Sequence, residues 1–247
     1  MKGVILAGGL GTRMSPLTKV TNKHLLPVFD EPMIFKPIHT LTSAGIENIL
    51  IVLGGESVGD FVRLLGSGAD FNAHFTYRYQ DQAGGIAEAL SLAEDFVGDD
   101  DMAVILGDNI FEDDFTPFVK EFTQDSENDC HLFLKEVGDP HRFGVAEMDE
   151  GGKVHNIIEK PREPTSNMAV TGLYFYRSTT FDAIREVVKT IGYSNRNELE
   201  ITDVNNIFVK KGTVKARVLH GFWSDAGKFE TLLRSSVFVS QQRTKGQ

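Results

Sequence analysis

Cysteine and tryptophan are almost absent from this 247-residue sequence, which contains one of each. Because Cys130 has no second cysteine to pair with, an intramolecular disulfide is excluded, and no Cys/His spacing typical of a zinc site is present. No run approaches the roughly 18 consecutive apolar residues that a membrane-spanning helix needs. The apolar N-terminal stretch breaks at Gly8 and Gly9, which is too early for a signal peptide. We therefore expect a cytoplasmic protein without a membrane partner.

Basic residues are also scarce, since 25 Lys and Arg stand against 35 Asp and Glu and give a formal net charge of −10. Broad nucleic-acid binding needs a basic face that replaces the counterions of the phosphates, so no nucleic-acid partner is expected. A small basic pocket inside an acidic protein is still compatible with this balance. Hydrophobic residues at 41% and charged residues at 24% are typical of a globular protein.

The first half of the chain alternates between short strand-like runs and amphipathic helical stretches. Four strands are predicted, at Val4–Ala7, Ile49–Leu53, His74–Tyr79 and Met102–Leu106. Helices are predicted between them, at about 32–44, at Val58–Leu65 and at Ile86–Phe96. Since parallel strands need crossover helices, this order predicts an α/β fold with a doubly wound sheet and helices on both faces.

The second half has a different pattern, in which several strands follow one another without helices. Strands are predicted at Cys130–Val137, Gly144–Met148, Val154–Glu159, Ala169–Tyr176 and Val214–Leu219. The Gly151–Gly152 pair indicates a hairpin turn between the second and third of these. Helices are predicted at Thr179–Lys189, at Ile201–Lys211 and at about 228–241. The sheet is therefore predicted to be mixed but mainly parallel, within one domain over residues 1–247.

A glycine-rich loop follows the first predicted strand. Gly8, Gly9 and Gly11 allow the backbone to approach a ligand closely, and their N–H groups can point at phosphate oxygens. The loop does not match the phosphate loop of NTPases, which needs a Lys at fixed spacing. It also departs from the dinucleotide fingerprint, which would place a glycine where Met14 stands. Glycines in an ordinary turn would give the same local sequence.

Two cations favour a phosphate site over such a turn. Arg13 and Lys23 both follow the loop before the next predicted helix. A glycine cradle together with an Arg and a Lys suits a triphosphate, whose charge is near −4.

Two aspartates are candidates for binding a divalent cation. Asp108 ends an apolar strand, and ligands of open α/β sheets bind beyond the carboxyl ends of the strands. Mg²⁺ usually takes one or two protein carboxylates together with substrate phosphates and water, so a second acid is expected, and Asp225 is the candidate. Both residues could instead cap a turn or a helix.

The motifs resemble those of a known family. The segments Leu6–Arg13, Pro16–Thr18 and Lys23–Pro27 are similar to the signature of the sugar-1-phosphate nucleotidyltransferases, and within them of the glucose-1-phosphate thymidylyltransferases. At least six such motifs occur in order over about residues 2–242. The resemblance implies a Rossmann-like nucleotide-diphospho-sugar transferase fold. It implies a nucleotide-binding half at about 1–110, a sugar-phosphate-binding half at about 111–227 and a C-terminal helix at 228–247.

The resemblance also implies a role for each motif residue on the nucleotide side. Arg13 and Lys23 would be catalytic, bracing the departing pyrophosphate. The residues expected to bind the nucleotide are Leu6, Ala7, Gly8, Gly9, Gly11, Thr12, Arg13, Gln80, Gly85 and Asp108. Gln80 and Gly85 would meet the base, since a side-chain amide suits thymine or uracil.

On the sugar side, Lys160 and Arg196 would be catalytic clamps on the phosphate of the sugar phosphate. The residues expected to bind it are Asn109, Gly144, Glu159, Lys160, Val170 and Arg196, with Glu159 accepting from sugar hydroxyls. Mg²⁺ would be held by Asp108 and Asp225. Asn197 stands where the family usually has glycine, and asparagine tolerates a positive φ better than most residues.

The implied reaction joins dTTP and glucose 1-phosphate to give dTDP-glucose and pyrophosphate, by in-line attack of the sugar phosphate on the α-phosphorus. A uridylyltransferase or a related enzyme using another sugar 1-phosphate, a non-catalytic nucleotide-sugar sensor and a dinucleotide-dependent oxidoreductase are the alternatives. The family often forms dimers or tetramers, so a homo-oligomer is compatible with the resemblance. Longer members carry a further C-terminal segment that builds a regulatory nucleotide site, and we expect weak or absent feedback inhibition here.

Overall fold

The computed structural model describes residues 1–9 and 11–245. The strands within this part of the chain are β1 (Lys2–Ala7), β2 (Pro27–Val28), β3 (Glu31–Pro32), β4 (Asn48–Gly54), β5 (His74–Gln80), β6 (Met102–Leu106), β7 (Asn109–Phe111), β8 (Cys130–Glu136), β9 (Gly144–Met148), β10 (Val154–Glu159), β11 (Met168–Tyr176), β12 (Val214–Val218) and β13 (Trp223–Asp225). The α-helices are α1 (Phe35–Ser43), α2 (Val58–Leu65), α3 (Ile86–Ser91), α4 (Glu94–Val97), α5 (Thr116–Gln124), α6 (Thr180–Thr190), α7 (Ile201–Lys211) and α8 (Phe229–Lys245). Short 3₁₀ helices include Thr12–Met14 and Lys23–Leu25.

The main sheet has the order β10-β9-β11-β6-β1-β4-β5, and β8 pairs with both β11 and β12. The strands β6, β1, β4 and β5 are parallel to their neighbours within this group. From β6 onwards the pairing changes, because β11 runs antiparallel to β6, β8 and β9, and β9 runs antiparallel to β10. The predicted mixed sheet is confirmed, including the hairpin between β9 and β10.

Helices cover both faces of the sheet, as the doubly wound prediction requires. Successive side chains of a strand point to opposite faces. Val4 and Leu6 of β1 accordingly pack in a core with residues of α3, α6 and α7. Ile5 and Ala7 pack in a second core with residues of α1, α2 and α5. The alternation along β1 therefore places one apolar layer on each side of the sheet.

One predicted helix is wrong as a continuous element. The segment predicted as a helix at Ile86–Phe96 is divided into α3 and α4, because the N–H of Ala93 bonds to the carbonyl of Leu90, three residues back, and tightens the chain there. The apolar period continues across the break since Leu90, Ala93 and Val97 all pack in the same core.

Other elements carry little sequence signal. In α5 only Phe122 is fully buried, with Phe118 and Val119 packed beside it, so its apolar stripe is little more than one turn long. The strands β7 and β13 are too short for a period and form only as a pair with each other. Residues 246 and 247, included in the predicted C-terminal helix, lie outside the described residues. No helix in the described part of the chain combines the length and apolar character that a membrane span requires.

Candidate active site

The site lies where the strand order of the sheet reverses. β1 has β4 on one side and β6 on the other, with both pairs parallel, so their carboxyl ends meet at one edge. In open α/β sheets this is the edge at which ligands bind. The glycine loop, defined here as Gly8, Gly9 and Gly11–Arg13, leaves β1 at this edge. Gln80 ends β5 and Asp108 follows β6.

Two adjoining cavities open at this edge, of about 300 Å³ for the first and about 470 Å³ for the second. Asp108, Glu159 and Lys160 line both of them. The volumes are in the range of small-molecule sites, which run from about 300 to 1,000 Å³. The shared residues make the cavities two compartments of one site.

The structure brings most of the predicted site residues to these compartments. Those lining the first cavity are Leu6, Gly8, Gly9, Arg13, Lys23, Gln80, Gly85, Asp108, Glu159 and Lys160. Those lining the second are Arg13, Asp108, Asn109, Gly144, Glu159, Lys160, Val170, Arg196 and Asp225. The others lie nearby, with Ala7 buried in the core and Gly11 and Thr12 at the start of a 3₁₀ helix.

Gly11 packs against Lys23, which crosses the glycine loop. The φ of Gly11 is 64°, and a Cβ there would lie 2.9 Å from the Cβ of Lys23. Glycine is therefore required both by the left-handed backbone and by the close approach. The contact directs the Lys23 side chain across the loop towards β6.

Lys23 reaches the carboxylate at the end of β6. Its Nζ lies 2.5 Å from Oδ2 of Asp108, and the two side chains are 12% and 10% exposed. Burial alone would raise the pKa of Asp108, but the charge of Lys23 and hydrogen bonds from Lys23 and Asn109 lower that pKa well below its ordinary value. Asp108 is therefore a carboxylate at neutral pH.

The second predicted aspartate, Asp225, is held by Arg142. Nη2 of Arg142 donates to Oδ2 of Asp225 at 2.6 Å. Burial and repulsion from Asp108 raise the pKa of Asp225, and Arg142 opposes that rise. The N–H of Ala226 donates to the backbone carbonyl of Asp108 at 2.7 Å, and both aspartates line the second cavity. In the described part of the chain, no cluster of three or more His, Cys, Asp or Glu side chains is arranged to hold a metal ion.

Asn109 organises the wall of the second cavity. Its Oδ1 accepts from Nε1 of Trp223 at 2.7 Å and from the backbone N–H of Gly172 at 3.0 Å. A Cβ on Gly172 would lie 2.6 Å from Cγ of Asn109, so the amide occupies the space that a side chain would need. Phe143 packs on Trp223 with ring centroids 5.1 Å apart. Asn109 is thereby fixed from two strands.

A charged network lies where the two cavities meet, since Glu159 and Lys160 line both of them and Arg196 lines the second. Glu159 accepts from Oγ1 of Thr202 at 2.6 Å and lies 3.1 Å from Nζ of Lys160 and 3.2 Å from Nη2 of Arg196. Burial raises the pKa of Glu159, but these partners outweigh burial and lower that pKa. Arg196 also contacts Glu200 at 2.7 Å. The cations that could bind a phosphate are therefore engaged by carboxylates.

Asn197, which follows Arg196, has a left-handed backbone conformation. The φ of Asn197 is 57°, in the left-handed region, as the tolerance of asparagine for positive φ suggested.

Several contacts of the site were not predicted from the sequence. Arg142 and Asp225 are separated by 83 positions, and no local pattern connects them. His24 is buried beside Lys23, and burial together with the charge of Lys23 lowers its pKa to about 3, so it is neutral. Glu88 bonds to Gln80 from α3. Among these residues, only His24 could have been noticed from the sequence, because it stands between a predicted functional lysine, Lys23, and two leucines.

Comparison with known sequences identifies relatives along the whole chain. A family model of nucleotidyl transferases matches residues 2–242. The glucose-1-phosphate thymidylyltransferase of Neisseria meningitidis serogroup A is 41% identical over 242 residues, which cover 97% of this chain and 82% of the relative. The enzyme of that name from Mycolicibacterium smegmatis is 41% identical over 243 residues, with the same coverage of both chains.

Solved structures show the same fold. A Bacillus anthracis protein provisionally named glucose-1-phosphate thymidylyltransferase, crystallised with sucrose, superposes with a TM-score of 0.90 at 51% identity, covering 96% of this chain and 94% of the other. A UDP-glucose pyrophosphorylase in complex with UDP-glucose superposes with a TM-score of 0.82 at 25% identity, covering 98% of each chain. The fold is therefore that of both structures.

Proposed function

The chain belongs to the nucleotidyl transferase family, and from that membership and the geometry of the two cavities we infer its reaction. It is an enzyme with the activity of a glucose-1-phosphate thymidylyltransferase, which forms dTDP-glucose and pyrophosphate from dTTP and glucose 1-phosphate. One observation carries the assignment to this site: Asp108 and Arg13 line both cavities, with Lys23 in the first and Arg196 in the second.

The first cavity is proposed to bind dTTP. The glycine loop offers backbone N–H groups to the phosphates, and Arg13 and Lys23 offer charge to the β- and γ-phosphates. Gln80 and Gly85 lie at the end where the base would sit. Lys23 bonds to Asp108 in this structure, so the incoming phosphates would compete with that carboxylate for the lysine.

The second cavity is proposed to bind glucose 1-phosphate. Lys160 and Arg196 would hold its phosphate, while Glu159 would accept from sugar hydroxyls beside Gly144 and Val170. The phosphate is already ionised at neutral pH, so one of its oxygens can attack the α-phosphorus without a general base. The obstacle is repulsion between two anions. Catalysis by these residues is therefore positioning and charge neutralisation, with pyrophosphate leaving towards Arg13 and Lys23.

We also propose that Mg²⁺ binds between Asp108 and Asp225. The pairing of β13 with β7 supports it, because this pairing sets Asp225 opposite Asn109, next to Asp108, and both aspartates line the second cavity. Two carboxylates, with substrate phosphates and water as the other ligands, form a donor set that Mg²⁺ accepts. When bound, the ion would stabilise negative charge at the α-phosphate.

The metal proposal is tested with Mn²⁺ as a paramagnetic probe, in the presence of dTTP and the absence of glucose 1-phosphate. Asp225→Asn should weaken Mn²⁺ binding to the enzyme–nucleotide complex by about tenfold or more, since it removes one of two anionic ligands. Glu147→Gln, which changes a carboxylate on β9 outside both cavities, is the matched control. Equal Mn²⁺ affinity in Asp225→Asn and the parent enzyme would contradict the assignment.

The reaction itself is tested by Mg²⁺-dependent release of pyrophosphate from glucose 1-phosphate with dTTP or UTP at equal concentration. We expect faster release with dTTP. A clear preference for UTP would leave the reaction type standing and overturn the choice of base. No release with either nucleotide, over a panel of sugar 1-phosphates, would favour the sensor instead.

A further inference from the structure

The amide of Gln80 is held from behind by a carboxylate on the first turn of α3. Nε2 of Gln80 donates to Oε1 of Glu88 at 3.2 Å. The Gln80 side chain is buried, and Gln80 lines the first cavity whereas Glu88 is not among the residues that line it. Glu88 is therefore placed to act on a ligand only through Gln80.

The chemistry of a carboxylate fixes which way the amide points. An ionised carboxylate has acceptors and no donor, so only the NH₂ end of Gln80 can face Glu88. The opposite end, Oε1, lies beside the glycine loop, where a Cβ on Gly8 would be 2.5 Å from it. Rotating the amide by 180° would place Oε1 against the carboxylate, lose one hydrogen bond and add repulsion between two acceptors.

Glu88 is itself fixed in place. Its Oε2 accepts from the hydroxyl of Tyr193 at 3.1 Å. Its carboxylate also lies over Gly84, where a Cβ would be 1.9 Å from Oε2. The absence of a side chain at Gly84 thus leaves the space that Glu88 occupies.

We propose that Glu88 is a positioning residue for base selection, which locks the Gln80 amide so that it presents a carbonyl oxygen to the base. The inference rests on the proposed function, in which Gln80 meets the base of the nucleotide. Thymine and uracil carry an N3–H donor next to carbonyl oxygens. They match an amide that offers Oε1 as the acceptor and the second N–H of Nε2 as the donor.

Cytosine has the reverse arrangement, with an acceptor at N3 and an amino donor at C4. It would need the rotated amide, which Glu88 opposes. The ionised carboxylate therefore selects against cytosine nucleotides, whereas it does not separate thymine from uracil.

The test is Glu88→Gln, because a second amide can donate to Oε1 of Gln80 as well as accept from its Nε2. Both orientations of Gln80 then become available. We expect kcat/KM for dCTP to rise by about tenfold or more, while kcat/KM for dTTP stays within about threefold of the parent enzyme. Dissociation constants for dTTP and dCTP, measured by calorimetry without sugar phosphate, should show the same change in ratio.

Tyr193→Phe is the matched control, since it removes the other partner of Glu88 and keeps the carboxylate. It should leave the dTTP to dCTP ratio unchanged. Glu88→Ala, which frees the amide without a new donor, should also lower the ratio and covers the case in which Glu88→Gln folds poorly. If Glu88 had a purely structural role, both substitutions would reduce kcat/KM for dTTP and for dCTP by the same factor, and the ratio would stay constant.

The outcomes separate the two proposals. A constant ratio in Glu88→Gln and Glu88→Ala, or a parent enzyme that binds dCTP as well as dTTP, would overturn the role of Glu88. Absence of pyrophosphate release in the parent enzyme would overturn the proposed function. The binding ratio needs no turnover and still tests the orientation of Gln80 in that case.

Discussion

The parallel half of the sheet (β1, β4, β5 and β6) and its antiparallel half (β8, β9, β10 and β11) hold their charged site residues differently. Beside the parallel half, Lys23 and Asp108 form a single ion pair whose side chains are about one tenth exposed. Beside the antiparallel half, Arg196 is 38% exposed and contacts three carboxylates. A buried pair contributes to the stability of the protein as well as to ligand binding. A half-exposed network can lose one member without a large loss of stability.

The largest expected difference comes from removing one cation on each side. Lys23→Met would leave the Asp108 carboxylate buried without its partner, and we expect a loss of about 3–5 kcal/mol in the free energy of unfolding. Arg196→Met should change that free energy by less than about 1 kcal/mol, because its pairs are screened by water. It should raise KM for glucose 1-phosphate by about 10- to 100-fold. Urea denaturation and pyrophosphate-release kinetics measure both.

Lys189→Met, on the exposed face of α6, is the control for removing a positive charge. If Lys23→Met and Arg196→Met lowered the free energy of unfolding equally, the claim that the two halves hold their charged residues differently would be contradicted.

The dependence of the free energy of unfolding on pH should also differ between the two halves, since each has one buried histidine. The buried His24 has a pKa of about 3, whereas an unfolded histidine titrates near 6.5. The unfolded chain therefore binds the proton first, and stability falls as the pH drops through 6.5 towards 3. This group alone should account for a loss of about 2 kcal/mol between pH 7.5 and 5.

In the antiparallel half, His131 on β8 contacts Asp125 at 2.9 Å, and that carboxylate opposes the lowering of its pKa by burial. His24→Gln should flatten the dependence of the free energy of unfolding on pH more than His131→Gln does. The comparison uses slopes, so the stability that each substitution removes at neutral pH does not enter. A steeper change in the His131 variant would reverse the expected order.

The smallest effect concerns two left-handed residues, Gly11 in the glycine loop and Asn197 beside Arg196. Asn197→Gly should change the free energy of unfolding by no more than about 0.5 kcal/mol, and Asn197→Ala should lower it by about 1 kcal/mol. Gly11→Ala should lower it further, because its Cβ would also meet Lys23. Thermal melting of the three variants checks the order, and a Gly11→Ala variant as stable as the parent would contradict it.

Much of the fold was predictable because the central strands, such as β6, are continuous apolar runs and β9 and β10 flank a glycine turn. β6, β9 and β10 have the predicted bounds, and α2 and α7 do as well. The failures have a physical cause. A tight turn at Ala93 interrupts a helix without interrupting its apolar period, and β7 and β13 exist only because they pair with each other.

In the site, the sequence indicated residues that lie shortly after a strand end, such as Asp108 two residues beyond β6 and Arg13 in the loop after β1, because strand ends determine their location. It could not indicate how these residues pair. The contact of Arg142 with Asp225 joins a short 3₁₀ helix, Pro140–Arg142, to β13. The contact of Gln80 with Glu88 depends on how α3 packs. Both arise from tertiary packing. The assigned roles of the site residues stay predictions.

β6 joins the two halves, since it is hydrogen-bonded in parallel to β1 and antiparallel to β11. A hinge rotation between the halves would have to distort one of these ladders, so β6 couples the two halves of the sheet. Gln80, proposed to meet the base, ends β5, and Glu159, proposed to meet the sugar, ends β10, so the two contacts lie at opposite ends of the sheet order with β6 between them. The choice of base and the choice of sugar can therefore change separately, without disturbing the strand that leads to Asp108.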